Sequence, residues 1–276
     1  VDALYCNCRS YRIIETCHNI SFKPDVEKKY HPDAYAFCTP YHLTTFDNMK
    51  TPIKEVIEFP IEPSVSNKLQ AQSALGLDSN KKHVVNIGLW TRGKNQGEGL
   101  SLARKLPDVQ FHFVGNQAGN FKDYWEPLMN NVPGNVTIWG ERADTSTFLQ
   151  AADVFMFNST WECNPLVIRE AISYGLPILA RNLPQYGDMF TKYITALDPF
   201  KMKNQLKQLL REGCSYIVPM ENVLSHFKNK HIDLYTQVIE AKKVEHVTPV
   251  DYNIYRDFAL GPYVHITVSS ESLFKV

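Results

Sequence analysis

From about residue 11 to residue 241, short apolar runs alternate with stretches whose apolar positions recur at helical spacing. Such runs, bounded by polar residues, Gly or Pro, read as buried strands, and the segments between them as amphipathic helices. The strands expected are Tyr11–Glu15, Ala34–Thr39, Glu55–Phe59, His83–Leu89, Gln110–Gly115, Val136–Trp139, Val154–Asn158, Pro177–Ala180 and Ile194–Ala196. The helices expected are Gly99–Leu106, Phe121–Asn130, Thr145–Ala151, Pro165–Tyr174, Phe200–Leu210 and Val223–Ala241. This alternation predicts βαβ units and therefore a doubly wound α/β protein built on parallel sheets.

The pattern is interrupted twice. Pro60-Ile-Glu-Pro63 and the polar stretch to Asn80 separate the first three strands from a complete βα series and read as an inter-domain linker. Beyond Lys243 the helical pattern stops, and Tyr263–Ser269 alternates with period two, as a half-buried antiparallel strand does. That tail reads as the beginning of a separate β element. No internal repeat or low-complexity segment stands out.

Composition narrows the partners. With 44% hydrophobic and 21% charged residues among 276, the chain is an ordinary globular one. Lys plus Arg number 29, as do Asp plus Glu. No long-range field gathers nucleic acid, so a charged ligand has to be held by a local site. Six cysteines are too sparse for a disulfide framework. Cys6, Cys8, Cys17 and His18 lack paired zinc-site spacings and read as plain thiols and a histidine rather than a metal cluster. The sequons at Asn19, Asn135 and Asn158 read as chance occurrences without a secretion signal. A cytoplasmic location is expected, with contact to the inner face of a membrane peripheral at most. Because residue 1 is Val, the chain reads as a piece of a longer open reading frame.

In open α/β sheets ligands bind beyond the carboxyl ends of the strands, so the residues that follow each strand are where chemistry is sought. After Val154–Asn158 comes Ser-Thr-Trp-Glu162-Cys-Asn164-Pro165-Leu166-Val-Ile-Arg-Glu170. Pro165 suits a first helical position and Asn164 a cap, and the free N–H groups of such a first turn attract an anion. Glu162 and Glu170 stand at the loop and one to two turns inside the helix, an arrangement that can accept hydroxyl groups from two parts of one extended ligand. After His83–Leu89 comes Gly88-Leu-Trp-Thr-Arg92-Gly-Lys94, where Gly permits close approach and the cations suit a diphosphate.

The segment from Ser159 to Ala180 resembles the E-x7-E signature of retaining glycosyltransferases of GT-B fold, the GT4-type or glycosyl transferases group 1 family. Ser159, Glu162, Leu166, Glu170, Ala171, Gly175, Pro177 and Ala180 fall in its register. The resemblance implies Rossmann-like domains, with Glu162 on the transferred sugar, Glu170 on the nucleotide ribose, and the amides around Asn164, Pro165 and Leu166 on the sugar or diphosphate. The family's Gly-Phe-Gly is Cys163-Asn164-Pro165 here, and Pro165 removes one N–H. Gly88 and Lys94 match the family's basic loop, but its Arg is Leu89, which makes Arg92 the expected substitute. Glu15-Thr-Cys-His18 resembles the strand that ends in a histidine near the donor sugar or acceptor, and Asn116 and Arg142 follow the strands where the family places the base.

The domains implied are 1–62, the remainder of an N-terminal acceptor-side domain; 63–80, a linker; 81–215, the nucleotide-sugar donor domain; 216–243, terminal helices crossing back; and 244–276, a β-type extension or the start of a further domain. The activity implied is transfer of a sugar, with retention, from a nucleotide-diphosphate sugar to a glycan, lipid-linked or protein acceptor. The co-substrate serves in place of a cofactor, and no metal is expected, because no D-x-D is present. A non-catalytic nucleotide-binding GT-B module of a larger protein is the alternative, and a GT-B sugar-nucleotide epimerase a weaker third. No G-x-G-x-x-G follows a strand, and no P-loop or Gly-x-Ser-x-Gly elbow occurs.

Overall fold

The computed structural model describes residues 11–18, 31–45, 53–213, 216, 218, 223–241 and 263–268. They divide into two compact units, one from the described parts of Val1–Pro60, Pro184–Gly187 and Asn222–Val276, the other from Ile61–Leu183 and Asp188–Glu221. Cys6, Cys8, Asn19 and Cys214 lie outside the described residues.

The first unit begins with β1 (Arg12–Cys17), β2 (Ala34–Phe37), helix α1 (Pro40–Thr45) and β3 (Ile53–Val56). The second carries α2 (Lys68–Ala74), β4 (Lys82–Ile87), α3 (Gln96–Arg104), β5 (Val109–Val114), α4 (Lys122–Met129), β6 (Val136–Gly140) and α5 (Thr145–Ala151). It continues with β7 (Val154–Phe157), α6 (Leu166–Ser173), β8 (Ile178–Ala180), β9 (Ile194–Ala196) and α7 (Met202–Glu212). The chain then returns to the first unit through α8 (Val223–Glu240) and β10 (Tyr263–Val268). All nine strands and all six helices expected in these stretches form, with ends shifted by a few residues, as fraying termini and capping dictate.

Four local expectations need correction. The stretch 63–80, which reads as a linker, contains a helix outside the expected set: Lys68–Ala74, with Asn67 as N-cap, its side chain accepting from Gln70 N–H. Its polar exterior hid the pattern, since only Ala71 and Gln72 are buried, Gln72 donating to Ala151 O at 3.0 Å on α5. Pro40–Thr45 is also a helix, one turn and a half that is too short for a period to show. The tail strand β10 is parallel, not antiparallel, and pairs with β1 from Arg12 against Tyr263 to Cys17 against Val268. Period-two alternation reports one covered face and says nothing of the direction of the neighbouring strand. Finally, Pro165 is the N-cap and not the first helical residue: its φ and ψ of −67° and 112° are extended.

In the first unit the sheet order is β10-β1-β2-β3, all parallel. Ile14, Ala34, Ala36 and Ile57 bury against Leu234 and Val238 of α8. Lys230 anchors the helix by donating to Val56 O at 3.1 Å, and Arg12 donates to Ala241 O at its end.

In the second unit the order is β6-β5-β4-β7-β8-β9, again parallel. The strands are nearly continuous apolar runs because both faces are covered. Phe111, Phe113, Val154, Met156 and Leu179 meet Leu100, Leu102 and Leu106 on one side and Met202 and Leu206 of α7. Gly99 lets α3 lie close to the sheet, since a Cβ there would stand 2.8 Å from Met156 Cε and 2.9 Å from Phe113 Cζ. Asn158 and Asn135 are consumed by structure: Asn158 is fully buried, and Asn135 Nδ2 donates to the carbonyls of Ala103, Leu106 and Val109.

The sheet buries two histidines. Trp139 Nε1–H donates to His112 Nδ1 at 3.1 Å, which leaves the His112 proton on Nε2 facing His83 Nδ1 at 3.0 Å. His83 Nε2–H then donates to Asp78 O at 2.9 Å, so every ring nitrogen is used with both rings neutral. Burial, and secondarily His83, push His112 from 6.5 down to about 4. A histidine neutral in the fold but free to protonate when unfolded stabilises fully above pH 6.5, and that stability is lost as the pH falls towards 4. Unfolding by urea is expected to become easier across that window, by about 3 kcal/mol from this group. His112→Gln should flatten the dependence; an equally steep fall in the variant would disprove the assignment.

Candidate functional site

The strand order reverses at β4: β5 and β6 lie to one side of it, and β7, β8 and β9 to the other. In open parallel sheets the ligand crevice falls at such a reversal, here beyond the carboxyl ends of β4 and β7. The two loops singled out in the sequence leave from those two strands.

The first loop is shaped by glycine. Gly88 N–H donates to Val114 O at 2.9 Å, and Gly115 N–H to Gly140 O at 2.7 Å. Gly115, at φ +151°, sits so close that a Cβ there would lie 2.0 Å from Gly88 O. The chain then makes a tight turn in which Lys94 N–H donates to Thr91 O at 3.1 Å and Asn95 takes the left-handed conformation at φ 54°. That turn directs the Lys94 side chain back along Gly88, whose missing Cβ would be 3.6 Å from Lys94 Cδ.

The second loop meets it. Thr160 N–H donates to Gly93 O at 2.8 Å, cross-linking the two loops. Lys94 Nζ lies 2.5 Å from Glu162 Oε1 and 4.9 Å from the centre of the Phe157 ring. The ammonium is thus held between a carboxylate and an aromatic face.

Next to this pair begins α6. Pro165 has no N–H, and Asn164 does not cap: its Oδ1 accepts from Arg169 Nε at 2.8 Å. Arg169 itself is buried, its guanidinium 5.2 Å from the centre of the Phe190 ring. The N–H groups of Leu166 and Val167 therefore have no intrahelical acceptor, the usual condition of a first turn. The Leu166 side chain is 53% exposed. Glu170 reaches solvent on α6 and has no ionic partner among the described residues. The protein around its carboxyl still pushes its pKa up from the ordinary glutamate value.

Other expected residues stand apart from the pair. Arg92 turns to Asp123 on α4, Nη2 to Oδ2 2.9 Å, in a pair whose two side chains are both over 70% exposed. Arg142 forms a fork on Asp144 with two bonds of 2.8 Å, over the rings of Trp139 and Phe148. Asn116 is exposed after β5, and its carbonyl accepts from Trp90 N–H at 3.0 Å. His18 belongs to the first unit, where it stacks on Phe59 with ring centres 5.8 Å apart.

Sequence reasoning missed a second ion pair at the same strand ends. Arg181, the residue after β8, forks onto Glu98 of α3 with bonds of 2.7 and 2.9 Å. The rule that chemistry follows strands points to Arg181 directly, but its partner Glu98, eighty-three residues earlier, has no sequence signal. Among the described residues, no three or more His, Cys, Asp or Glu are grouped as a metal site, and no helix is long and apolar enough to cross a membrane.

Comparison with known proteins matches residues 67–213, more than half of the chain, to the family model described as glycosyl transferases group 1. A processive diacylglycerol alpha-glucosyltransferase of Acholeplasma laidlawii is 24% identical over 181 residues, 60% of this chain and 54% of that protein. The UDP-Gal:alpha-D-GlcNAc-diphosphoundecaprenol alpha-1,3-galactosyltransferase of Escherichia coli is 37% identical over 129 residues, 44% of this chain and 33% of that protein. The chain thus spans about a third to a half of the length of these curated relatives. Among solved structures, Anabaena Alr3699/HepE in complex with UDP and glucose superposes with a TM-score of 0.64 at 17% identity, over 82% of this chain and 70% of that one. At that identity the likeness speaks for the shared GT-B fold. With the family model spanning both loops of the crevice and the signature helix, the chain belongs to the glycosyl transferases group 1 family.

Proposed function

We propose that the protein transfers a sugar from a nucleotide-diphosphate sugar to a glycan, lipid-linked or protein acceptor, with retention of anomeric configuration and without a metal. The observation that carries this reading is the Lys94–Glu162 pair beside the first turn of α6, at the point where the strand order reverses. Family membership and the UDP-containing likeness of Alr3699/HepE support it.

In this reading the diphosphate competes with Glu162 for Lys94 Nζ. Lys94 and the N–H groups of Leu166 and Val167 then stabilise the charge that builds on the departing diphosphate, which is the largest contribution such a site can make. Glu162, released from the ammonium, accepts a hydroxyl of the transferred sugar and orients it. Glu170 accepts the ribose hydroxyls. Pro165 offers no N–H, so the amide contact begins at Leu166, and Asn164 serves by holding the loop through Arg169. Arg92 reaches the diphosphate only by leaving Asp123, an exchange that an exposed pair permits. Gly88 gives the close approach; Asn116 and the Arg142 region border the base. The role of His18 rests on the resemblance alone.

Calorimetric titration with UDP, GDP and ADP is expected to give binding by one of them, weakened roughly tenfold or more in Glu170→Ala, because a charge-assisted bond is worth about 1.5–3 kcal/mol. Since burial raises the Glu170 pKa, affinity should decline on acidification at a higher pH than an ordinary glutamate would give. Nucleotide binding that ignores Glu170→Ala would remove the donor-site assignment.

Lys94→Ala is expected to lower turnover by about a hundredfold to a thousandfold, the cost of losing one stabiliser of developing charge. Anomeric analysis of the product by NMR tests retention, and transfer that survives EDTA tests metal independence. Inverted product or EDTA-sensitive transfer would overturn those two parts separately.

A further inference from the structure

We propose that Glu98 and Arg181 form a positioning pair that holds Lys94 against Glu162. The inference rests on the reading of that site as the donor site, but the geometry it concerns can be measured without turnover.

Arg181 Nη2 lies 2.7 Å from Glu98 Oε1 and Nη1 2.9 Å from Glu98 Oε2, a full fork. The same Nη1 donates to Asn158 O at 2.6 Å, and Asn158 Nδ2 donates to Glu98 Oε2 at 2.7 Å. Asn86 Nδ2 continues the network to Met156 O at 2.8 Å and to Asn158 Oδ1 at 3.4 Å. One cluster therefore ties together the ends of β4, β7 and β8 and the first turn of α3. The two charged side chains are only 19% and 17% exposed, so solvent does little to loosen them.

Each reactive loop is fastened by this cluster at one end and by the Thr160–Gly93 bond near its middle. Lys94 lies between Gly93 and Glu98; Glu162 lies between Thr160 and α6, on a loop that leaves Asn158. The distance between Lys94 Nζ and Glu162 is then fixed by how firmly α3 is joined to the ends of β7 and β8. An acidic residue in a first helical turn is favoured by the helix dipole alone. A bidentate arginine from a different strand is not needed for that, and it offsets the glutamate's charge while fixing its direction. Lysine cannot reproduce this fork, because it is a point charge on a flexible stem. Among the described residues, no hydrogen bond or ion pair joins either partner to Lys94 or Glu162, so both act through the loops.

Competitive acetylation of the full chain, read by mass spectrometry, measures the reactivity of Lys94 against the exposed lysines. In Arg181→Met, Lys94 should react severalfold faster, because Nζ is no longer held between Glu162 and the Phe157 ring and meets the reagent more freely. Arg181→Lys should be intermediate. Turnover should fall by up to about a hundredfold, the cost of a misplacement near 1 Å. In a Lys94→Ala background, Arg181→Met should cost nothing further, whereas a merely structural residue would add its own loss. Unchanged Lys94 reactivity, or losses that add, would overturn the proposal. If Arg181→Met does not fold by circular dichroism, Arg181→Lys and Glu98→Gln carry the same comparison. A wild-type chain that binds no nucleotide and transfers no sugar would remove the donor-site reading, and the acetylation result would still decide whether the pair positions Lys94.

Discussion

All six strands of the second unit run parallel, so every loop that follows a strand leaves from the same edge of the sheet. Nothing else in the molecule depends on a single constraint to the same degree. Parallel pairing makes each return crossing pass over a face, which covers both faces with helices and turns the strands into apolar runs. It also delivers Gly88, Asn116, Asn158 and Arg181 to one rim, although they are spread over more than ninety residues of sequence. The reversal of strand order at β4 then parts the loops after β4 and β7, and the Lys94–Glu162 pair stands in that gap.

Charge at this rim is handled locally. The chain has equal numbers of acidic and basic residues, and the strand ends repeat that balance in miniature with two ion pairs of similar burial, Lys94–Glu162 and Arg181–Glu98. The two differ in chemistry. Lysine against glutamate is an interaction that an anionic ligand can exchange, since a single ammonium can turn from one acceptor to another. Arginine forked on glutamate, with a backbone carbonyl and an asparagine amide completing it, uses directional bonds that a ligand has no means of replacing. A labile pair supported by a fixed one is what a site needs if it is to release a cation to its substrate and keep its shape.

The first unit obeys the same parallel rule with a different source of strands. Its sheet takes β1, β2 and β3 from the beginning of the chain and β10 from the far end, and α8 covers one face through Leu234 and Val238. In the sequence the tail strand was legible as a strand, because side chains alternate whatever the neighbour. Its partner and direction were not, since pairing with Arg12–Cys17 spans almost the whole chain. Helix α2 was illegible for another reason: its buried positions are an alanine and a glutamine, which do not register as an apolar stripe.

The sequence by itself determined the class of fold, the order of strands and helices, and the loop and helix that carry Glu162 and Glu170, because periodicity is a local property set by neighbours a few residues apart. It also marked Lys94 as a candidate, since Gly88 and the turn that aims the lysine lie within one loop. Only the tertiary structure decided which charges meet. Arg92 stands two residues from Lys94 yet belongs to Asp123, and Arg142 belongs to Asp144. Pro165 became a cap, with Asn164 drawn to Arg169. Glu98 and Arg181 found each other across eighty-three residues. An ion pair forms where the folded backbone brings two side chains within about 4 Å in a partly desolvated place, and that is a property of the sheet edge rather than of any stretch of sequence.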